Sequence, residues 1–210
     1  MPLVRIIQVS GGTKLGIWRI AEPESFFRDR VHNGLSINHP YKRLQHLSAR
    51  FLLPELFHDF PLSDIRTGPG GKPFLPQGDF YLSLSHSGEY AAAMAGREGM
   101  VGIDIEKITP KVGRVAHKFL NPSERTFIGM DNPVQLLTVC WCAKEAVFKW
   151  YGRGEVDFQV NMNLQPFVLQ QEGNIQCCFS KGNMEKILQV GYSISSEYVV
   201  AWTMTGNEEA

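Results

Sequence analysis

The chain has 210 residues, enough for one sizeable domain or for two small lobes. Its 21 basic and 21 acidic residues balance to a net charge of zero, which argues against a bulk nucleic-acid binder but allows a local basic pocket. The hydrophobic content of 43% is that of an ordinary globular protein.

The N-terminal segment has neither the long apolar run nor the small-residue cleavage site of a signal peptide, and no run has the length of a membrane-spanning helix. The cysteines form two close pairs, Cys140 with Cys142 on a predicted helix and Cys177 with Cys178 on a predicted strand. These spacings are typical neither of a zinc site nor of a disulfide framework. We therefore expect a cytoplasmic protein with reduced, mostly buried thiols and no membrane partner.

The first sixty residues predict a hairpin followed by two helices. The predicted elements are strands at 3–9 and 13–20, a short helix at 22–30 and a longer helix at 41–53. Apolar residues at helical spacing indicate the longer helix, and Pro54 is its predicted stop. Arg43 and Arg50 lie on it, and their simplest interpretation is a solvated basic face.

Residues 61–79 are rich in Gly and Pro and contain Gly71-Lys72-Pro73. Pro73 restricts Lys72 to extended conformations, so this lysine lies on a stiffened backbone. A predicted strand at 80–84 then runs into Ser85-His86-Ser87-Gly88, which we interpret as a turn. Small hydroxyls and an imidazole beside a glycine turn can bind a phosphate, although a plain turn with serine caps is the alternative.

Apolar residues alternate with Gly102, Asp104 and Glu106 in the segment 101–106, which predicts a strand. Both acids would then share one face, while the isoleucines between them point into the core. Neighbouring carboxylates repel and raise each other's pKa unless a cation lies between them. Mg²⁺ suits such oxygen ligands, whereas a solvated strand face with two acids is the alternative.

Two helices are predicted in the second half. Asn121-Pro122-Ser123-Glu124 is typical of a helix start, and its local sequence favours a capping-box acid at Glu124. The longer helix spans 134–150, with Asn132 as its cap and Gly152 after its end.

Trp141, Glu145 and Lys149 are spaced four apart on the longer helix and share one face. The two charged residues alone could be a surface ion pair of little energetic consequence. Trp141 on the same face indicates that the face is partly buried, and a carboxylate there needs a partner or a metal.

From residue 157 onward the pattern predicts strands. They span 157–162, 166–170, 174–180, 186–195 and 197–204, with a turn at Gly173 and a bulge at Gly191. The whole chain is therefore predicted as α+β, with two similar halves at 1–105 and 106–210.

Four motifs occur in a specific order along the chain. They are Gly71-Lys72-Pro73, Ser85-His86-Ser87, the segment 101–106 and Trp141-x-x-Lys144-Glu145-Ala146-x-x-Lys149. In this order they resemble the 4′-phosphopantetheinyl transferase superfamily, over residues 41 to 160. The chain is more similar to the long, single-chain surfactin-synthetase-activating type than to the short trimeric type. The last two motifs are the most specific part of the resemblance.

The resemblance implies an enzyme that moves the phosphopantetheine arm of coenzyme A onto a serine of an apo acyl or peptidyl carrier protein and releases adenosine 3′,5′-bisphosphate. It implies two α+β lobes related by a pseudo-twofold axis, with the active site in the cleft between them. A monomer that uses Mg²⁺ and a separate carrier protein is expected.

The resemblance also implies roles for particular residues. Asp104, Glu106 and Glu145 would hold Mg²⁺, and Glu124 would be the general base. Lys149 and His86 would contact the coenzyme A phosphates, and Lys72 and Ser85 would hold the nucleotide end. Either Arg43 or Arg50 would match a basic helix residue of the family. A lysine pair that grips the 3′-phosphate in long members is replaced here by the candidates Arg28 and Arg30, and Ser83 stands where the family often has Asn.

The proton of the carrier serine could pass to a carboxylate such as Glu124 or to a water on the metal. Two other classes of function remain open at this point. One is a Mg²⁺-dependent phosphoanhydride hydrolase, which would share the carboxylates but need no carrier. The other is a non-catalytic module that binds coenzyme A or a carrier, which the intact acids and Lys149 argue against.

Overall fold

The structure is a computed structural model that describes residues 2–31, 37–68, 70–128 and 133–206. Within these ranges the helices are α1 (Glu24–Arg28), α2 (Pro40–Leu56), α3 (Lys111–Phe119), α4 (Pro122–Phe127) and α5 (Pro133–Tyr151). The strands are β1 (Leu3–Gln8), β2 (Lys14–Arg19), β3 (Arg66–Thr67), β4 (Pro73–Phe74), β5 (Tyr81–Ser87), β6 (Tyr90–Gly96), β7 (Val101–Lys107), β8 (Met162–Leu164), β9 (Glu172–Lys181), β10 (Met184–Ile194) and β11 (Tyr198–Met204). None of the helices described is long and apolar enough to span a membrane.

The strands form two larger antiparallel sheets, each built from one continuous part of the chain. The first has the order β1-β2-β6-β5, and the second has the order β7-β11-β10-β9-β8. Helix α2 packs on the first sheet and α5 on the second, while the opposite faces of the two sheets share a third apolar layer that contains Leu15, Met94 and Ile103. This mixture of helix and sheet agrees with the predicted α+β class. The boundary near residue 105 and the pseudo-twofold axis stay predictions.

Strand β7 is central because both sheets and α5 meet along it. Ile103 and Ile105 are fully buried in the layer between the sheets, as the alternating pattern predicts. Gly102 lies directly beneath α5: a Cβ atom there would lie 2.0 Å from the carbonyl oxygen of Ala146 and 2.6 Å from the backbone nitrogen of Trp150. The missing side chain therefore lets the helix approach the strand closely enough to place its residues beside Asp104.

Two predictions about the first half are wrong. Helix α2 continues through Pro54 to Leu56, because Leu53 and Leu56 are buried and a proline in the last turn removes little of the helix bonding. Ser85, His86 and Ser87 lie in strand β5 rather than in a turn, which comes after them at Gly88.

Two predicted strands of the second half are absent from the described ranges. Residues 157–161 form a turn, because Asp157 accepts the backbone N–H groups of Gln159 and Val160. Residues 166–170 are irregular, and they begin with Pro166, which has no N–H to give to a sheet.

The glycines of the second sheet also differ from their predicted roles. Gly173 and Gly191 lie within regularly paired strands, without a turn or a bulge, and a Cβ atom on them would meet the rings of Tyr192 and Trp202. The predicted glycine after α5 is confirmed, since Gly152 has a φ of +66°. The proposed cap Asn132 lies outside the described residues.

Candidate active site

Asp104 and Glu106 on β7 face α5, which carries Glu145 and Lys149 on the opposing side. The Nζ atom of Lys149 lies 2.6 Å from Oδ1 of Asp104, whose residue is 3% exposed. Glu106 accepts a hydrogen bond of 3.3 Å from Nε1 of Trp141. The structure therefore brings the predicted strand acids and the predicted helix face together, and the solvated-face interpretation does not apply to Asp104.

The three acids influence one another electrostatically. Burial raises the pKa of Glu145 to about 7, and the charges of Asp104 and Glu106 contribute to this rise, while Lys149 opposes them. Burial and the charge of Asp104 also raise the pKa of Glu106. A positive charge placed among these carboxyl groups would stabilise their ionised forms, as expected for a cation site.

In the part of the chain that the structure describes, no three His, Cys, Asp or Glu side chains are already arranged around one metal position. Two observations nevertheless fit a hard cation at this place. The Oδ2 atom of Asp104 is buried and has no hydrogen-bond partner among the described residues, and the donor set consists of carboxylate oxygens, which Mg²⁺ prefers. Asp104, Glu106 and Glu145 are therefore compatible with Mg²⁺.

A basic cluster lies on the other side of β5. The ring of His86 meets the ring of His46 edge-on at 4.8 Å, and the Nη1 atom of Arg50 lies 3.5 Å from Nδ1 of His46. Arg50 is 5% exposed, and its Nε atom has no partner among the described residues. Burial lowers the pKa of Arg50 to about 10 and that of His86 to about 4, the latter with help from the charges of His46 and Lys149. A buried cation with an unused donor suits a bound anion.

The other predicted basic residues already have partners. Arg43 donates to Glu24 at 2.8 Å and to the carbonyl of Ile37 at 2.7 Å. Arg28 pairs with the same glutamate, and the guanidinium of Arg30 lies 4.0 Å from the ring centroid of Phe26. Of the two arginines predicted for the helix, Arg50 is therefore the one whose charge is available.

Lys72 lies beside the C-terminal end of α5. Its Nζ atom donates to the carbonyl of Trp150 at 2.8 Å, near the end of α5, and burial lowers its pKa to about 8. It lines a small pocket of about 200 Å³ together with Ser83, Lys149 and Gly152. This arrangement brings Lys72 near Lys149, and the ammonium group of Lys72 already donates a hydrogen bond to the end of α5.

Glu124 is fully buried and away from solvent. Its Oε2 atom accepts from the backbone of Asn121 at 2.8 Å and from Nζ of Lys144 at 2.7 Å, and its Oε1 atom accepts from the backbone of Leu164 at 2.8 Å. The capping box predicted from the local sequence is present. The general-base role of Glu124 stays a prediction.

Lys144 is a site residue for which the sequence motif suggests no role. It is fully buried, and besides Glu124 its Nζ atom donates to the carbonyls of Phe119, Phe158 and Met162 at 2.8 to 3.0 Å. Phe119 and Phe158 also form the walls of an open groove of about 770 Å³ beside Glu145. Trp141 packs between these two rings, at 5.0 and 5.6 Å. Lys144 therefore holds the groove walls in place from below.

The family comparison adds to this geometry. Residues 100–203 match the family model of the 4′-phosphopantetheinyl transferase superfamily. Over this range the chain belongs to that superfamily. The matched range includes all three acids of the cluster, Glu124 and Lys149, whereas Lys72, Ser85 and His86 precede it. The resemblance predicted from the motifs is confirmed.

Individual relatives carry the same description. The chain is 32% identical over 117 residues to the 4′-phosphopantetheinyl transferase AcpT of Escherichia coli strain K12, which covers 53% of this chain and 59% of that protein. It is 27% identical over 137 residues to the 4′-phosphopantetheinyl transferase of Bacillus subtilis, covering 62% and 58%. A putative 4′-phosphopantetheinyl transferase of Haemophilus influenzae is 30% identical over 143 residues, covering 64% and 59%. The matches thus span less than two thirds of the length of these relatives.

Proposed function

We propose that this protein transfers the 4′-phosphopantetheine arm of coenzyme A to a serine of an apo acyl or peptidyl carrier protein and releases adenosine 3′,5′-bisphosphate. The observation that carries the proposal is the junction of β7 with α5. There, within the range that matches the superfamily, Asp104, Glu106, Glu145 and Lys149 come together. The relatives from Escherichia coli and Bacillus subtilis are described as 4′-phosphopantetheinyl transferases, which supports the proposal.

Phosphoryl transfer depends mainly on positioning and on the neutralisation of charge, so the roles follow from where each group lies. Lys149 carries its positive charge to the mouth of the acid cluster and would contact a phosphate of coenzyme A. Arg50 and His86 offer buried donors for the phosphate at the nucleotide end. The small pocket beside Lys72 would take part of the nucleotide, and the open groove beside Glu145 would take the pantetheine arm.

Asp104, Glu106 and Glu145 would hold Mg²⁺, which when bound supplies positive charge to the pyrophosphate oxygens. In the metal-free protein Lys149 supplies part of that compensation to Asp104. The chain's own residues therefore keep the acids close together before any substrate binds.

Two kinds of carboxylate are candidates for the proton acceptor of the carrier serine. The resemblance favours Glu124, but that carboxylate is fully buried and already accepts hydrogen bonds from Lys144, Asn121 and Leu164. The carboxylates that face the groove are the alternative acceptors.

We propose a cytoplasmic monomer that meets its carrier in solution, in an arrangement of two α+β lobes with a pseudo-twofold axis and an interlobe cleft. Neither nucleic acid nor a membrane is part of the proposed reaction. The zero net charge of the chain is compatible with docking of an acidic carrier, because such docking needs only a local basic rim.

The deciding experiment incubates the protein with coenzyme A, Mg²⁺ and a panel of apo carrier proteins, followed by mass spectrometry. A carrier should gain the mass of one phosphopantetheine arm, and it should do so only with a divalent metal. Hydrolysis of coenzyme A without gain on any carrier would favour the hydrolase. Binding of coenzyme A without either reaction would favour the non-catalytic module.

A further inference from the structure

The two sheets are joined at one seam by serine hydroxyls. Strand β5 is the edge of the first sheet and β7 is the edge of the second. Ser83, Ser85 and Ser87 of β5 accept the backbone N–H groups of Ile103, Ile105 and Lys107 of β7 at 3.1, 3.2 and 3.2 Å. Each serine lies 20 residues before the residue whose N–H group it accepts. Because this separation is constant, the two strands run in the same direction, and side-chain hydrogen bonds replace a backbone ladder between them.

Two of these serines also contact the acid cluster. The Oγ atom of Ser85 donates to Oδ1 of Asp104, and the Oγ atom of Ser87 donates to Oε2 of Glu106, both at 2.7 Å. Each hydroxyl therefore binds the amide of one residue of β7 and the carboxylate of the residue before it. Ser83 makes the amide bond alone, because the residue in the corresponding position is Gly102, which has no side chain.

This pattern separates two effects that usually occur together. Ser83 contributes to the seam without touching an acid, whereas Ser87 contributes to the seam and restrains a carboxylate. Ser85 does both, but it also accepts from Lys149 at 2.8 Å, so its substitution would disturb more than one partner. Ser87 is therefore the residue at which the restraint can be tested.

We infer that Ser87 is a positioning residue, whose hydroxyl fixes the Glu106 carboxylate in the orientation from which it binds the divalent cation. The inference rests on the proposed function for the identity of that cation. It assigns to the first sheet a direct part in a metal site whose acids all lie on the second sheet or on helix α5, which packs against it. Substitution of groups that orient metal ligands in this way typically lowers metal affinity or activity about 10- to 100-fold.

The experiment compares wild type with Ser87→Ala, its matched control Ser83→Ala, and Ser87→Thr, which keeps the hydroxyl. Mg²⁺ affinity is measured by calorimetry with coenzyme A at a concentration that saturates each variant separately, because Ser83 lines the pocket proposed for the nucleotide and its substitution can weaken coenzyme A binding. Ser87→Ala should weaken Mg²⁺ binding about 10- to 100-fold, and Ser87→Thr should restore most of it. Ser83→Ala should lower the melting temperature of the metal-free protein at least as much as Ser87→Ala, because it leaves a buried amide unpaired. Its Mg²⁺ affinity should nevertheless equal that of the wild type.

Wild-type affinity in Ser87→Ala, or an equal loss in Ser83→Ala, would overturn the inference and leave only the seam. Crystal structures of the metal-free variants give a second test, in which the Glu106 side chain should leave its wild-type rotamer in Ser87→Ala alone. If the wild type binds no Mg²⁺, the metal part of the proposed function fails by itself, and the rotamer still decides whether Ser87 restrains Glu106. If Ser87→Ala does not fold, Ser87→Cys, whose thiol is a weaker donor, allows the same comparison.

Discussion

Lys149 donates to Asp104 across the junction between α5 and β7, with 2.6 Å between Nζ and Oδ1. Asp104 is almost fully buried, while the Lys149 side chain keeps 25% of its surface exposed. The other oxygen of Asp104 has no partner among the described residues. One carboxylate thus bonds a lysine with one oxygen and leaves the other available for a cation.

Removal of the lysine should therefore destabilise the metal-free protein. Breaking a fully buried ion pair costs about 3–5 kcal/mol, and we expect on the order of 2–3 kcal/mol for Lys149→Met, because the lysine is partly solvated. Urea denaturation measures the loss. The double variant Lys149→Met with Asp104→Asn should recover a large part of it, and a loss equal to the sum of the single variants would show that the pair is not coupled.

The raised pKa of Glu145 predicts a specific pH dependence. Its pKa is about 7 in the folded protein, whereas the ordinary value for a glutamate is 4.5. The unfolded chain therefore ionises first, and wild type should lose stability relative to Glu145→Gln as the pH rises from 4.5 to 7, with no further change above. Thermal melts at several pH values, without metal, measure this difference.

The same variant should have opposite effects on activity and on stability. If Glu145 completes the Mg²⁺ site, Glu145→Gln should reduce turnover strongly and raise the Mg²⁺ requirement while the metal-free protein becomes more stable near neutral pH. Wild-type turnover together with unchanged stability at every pH would contradict the metal role and would leave Glu145 as a simple surface partner of Lys149.

The close approach of α5 to β7 predicts that Gly102→Ala is destabilising. The new methyl group would collide with the backbone of Ala146 and Trp150, and overpacking of this kind typically costs about 1–3 kcal/mol. Because the helix must shift away from the strand, Asp104 and Lys149 should separate and the Mg²⁺ affinity should fall as well. Gly113→Ala is the matched control.

Gly113 lies in helix α3, where a methyl group has room. The nearest atom to a Cβ placed on this residue belongs to Leu137 and is 4.0 Å away. Gly113→Ala should therefore be neutral or stabilise by about 0.5–1 kcal/mol, since alanine is the better helix former. Chemical denaturation of both variants tests the pair. If Gly102→Ala were as stable as Gly113→Ala, strand β7 would have adjusted to the methyl group without a loss of stability.

The sequence predicts the acid face of β7 and the helix face opposite it because both depend on local periodicity. Alternation along 101–106 separates Asp104 from Ile103, and a spacing of four places Glu145 above Lys149. The family model matches residues 100–203, a range that contains both faces. Local periodicity does not determine which elements pack against each other. For this reason it predicts neither the serine seam nor the cluster of Arg50 with His86.

The errors have similar physical origins. The usual local effects of Pro54 and Gly88 predict shorter elements, but burial of α2 and pairing of β5 with β6 extend both. Lys144 cannot be distinguished from a surface lysine by the motif alone, because its burial results from the three carbonyls that converge on it from distant segments. Alternating serines at 83, 85 and 87, with the same offset to 103, 105 and 107, are the available signal for the seam.

The unequal partners of Arg50 and Arg43 predict which of them binds a phosphate. Arg50→Met should weaken coenzyme A binding about ten- to a hundred-fold, because a charged hydrogen bond contributes about 1.5–3 kcal/mol. The loss should be small for coenzyme A that lacks its 3′-phosphate. Calorimetry with both ligands measures the difference.

Arg43→Met is the matched control on the same helix. Since Glu24 already neutralises Arg43, its removal should change neither affinity appreciably. In parallel, the His86 ring, whose pKa is about 4 in the free protein, should titrate at higher pH when adenosine 3′,5′-bisphosphate is bound, because the anion favours the charged imidazole. Nuclear magnetic resonance of the ring measures this, and an unchanged pKa would remove His86 from the phosphate site.

The buried pair of Glu124 and Lys144 predicts a test that separates structure from proton transfer. As an ion pair with no exposed surface, it should lose about 3–5 kcal/mol when either partner is replaced alone, in Glu124→Gln or in Lys144→Met. The double variant leaves no unpaired charge, so its loss should be well below the sum of the two, although three carbonyls still lose a donor.

Turnover measured below the melting temperature of every variant then assigns the role. If Glu124 only holds the groove walls through Lys144, turnover should follow the folded structure, and the double variant should be faster than Glu124→Gln with the acid limb of its pH profile unchanged. If Glu124 accepts the serine proton, every variant without it should be slow to the same extent, because removal of Lys144 supplies no new base. Recovery in the double variant therefore supports a structural role, and its absence in a folded protein supports the general base.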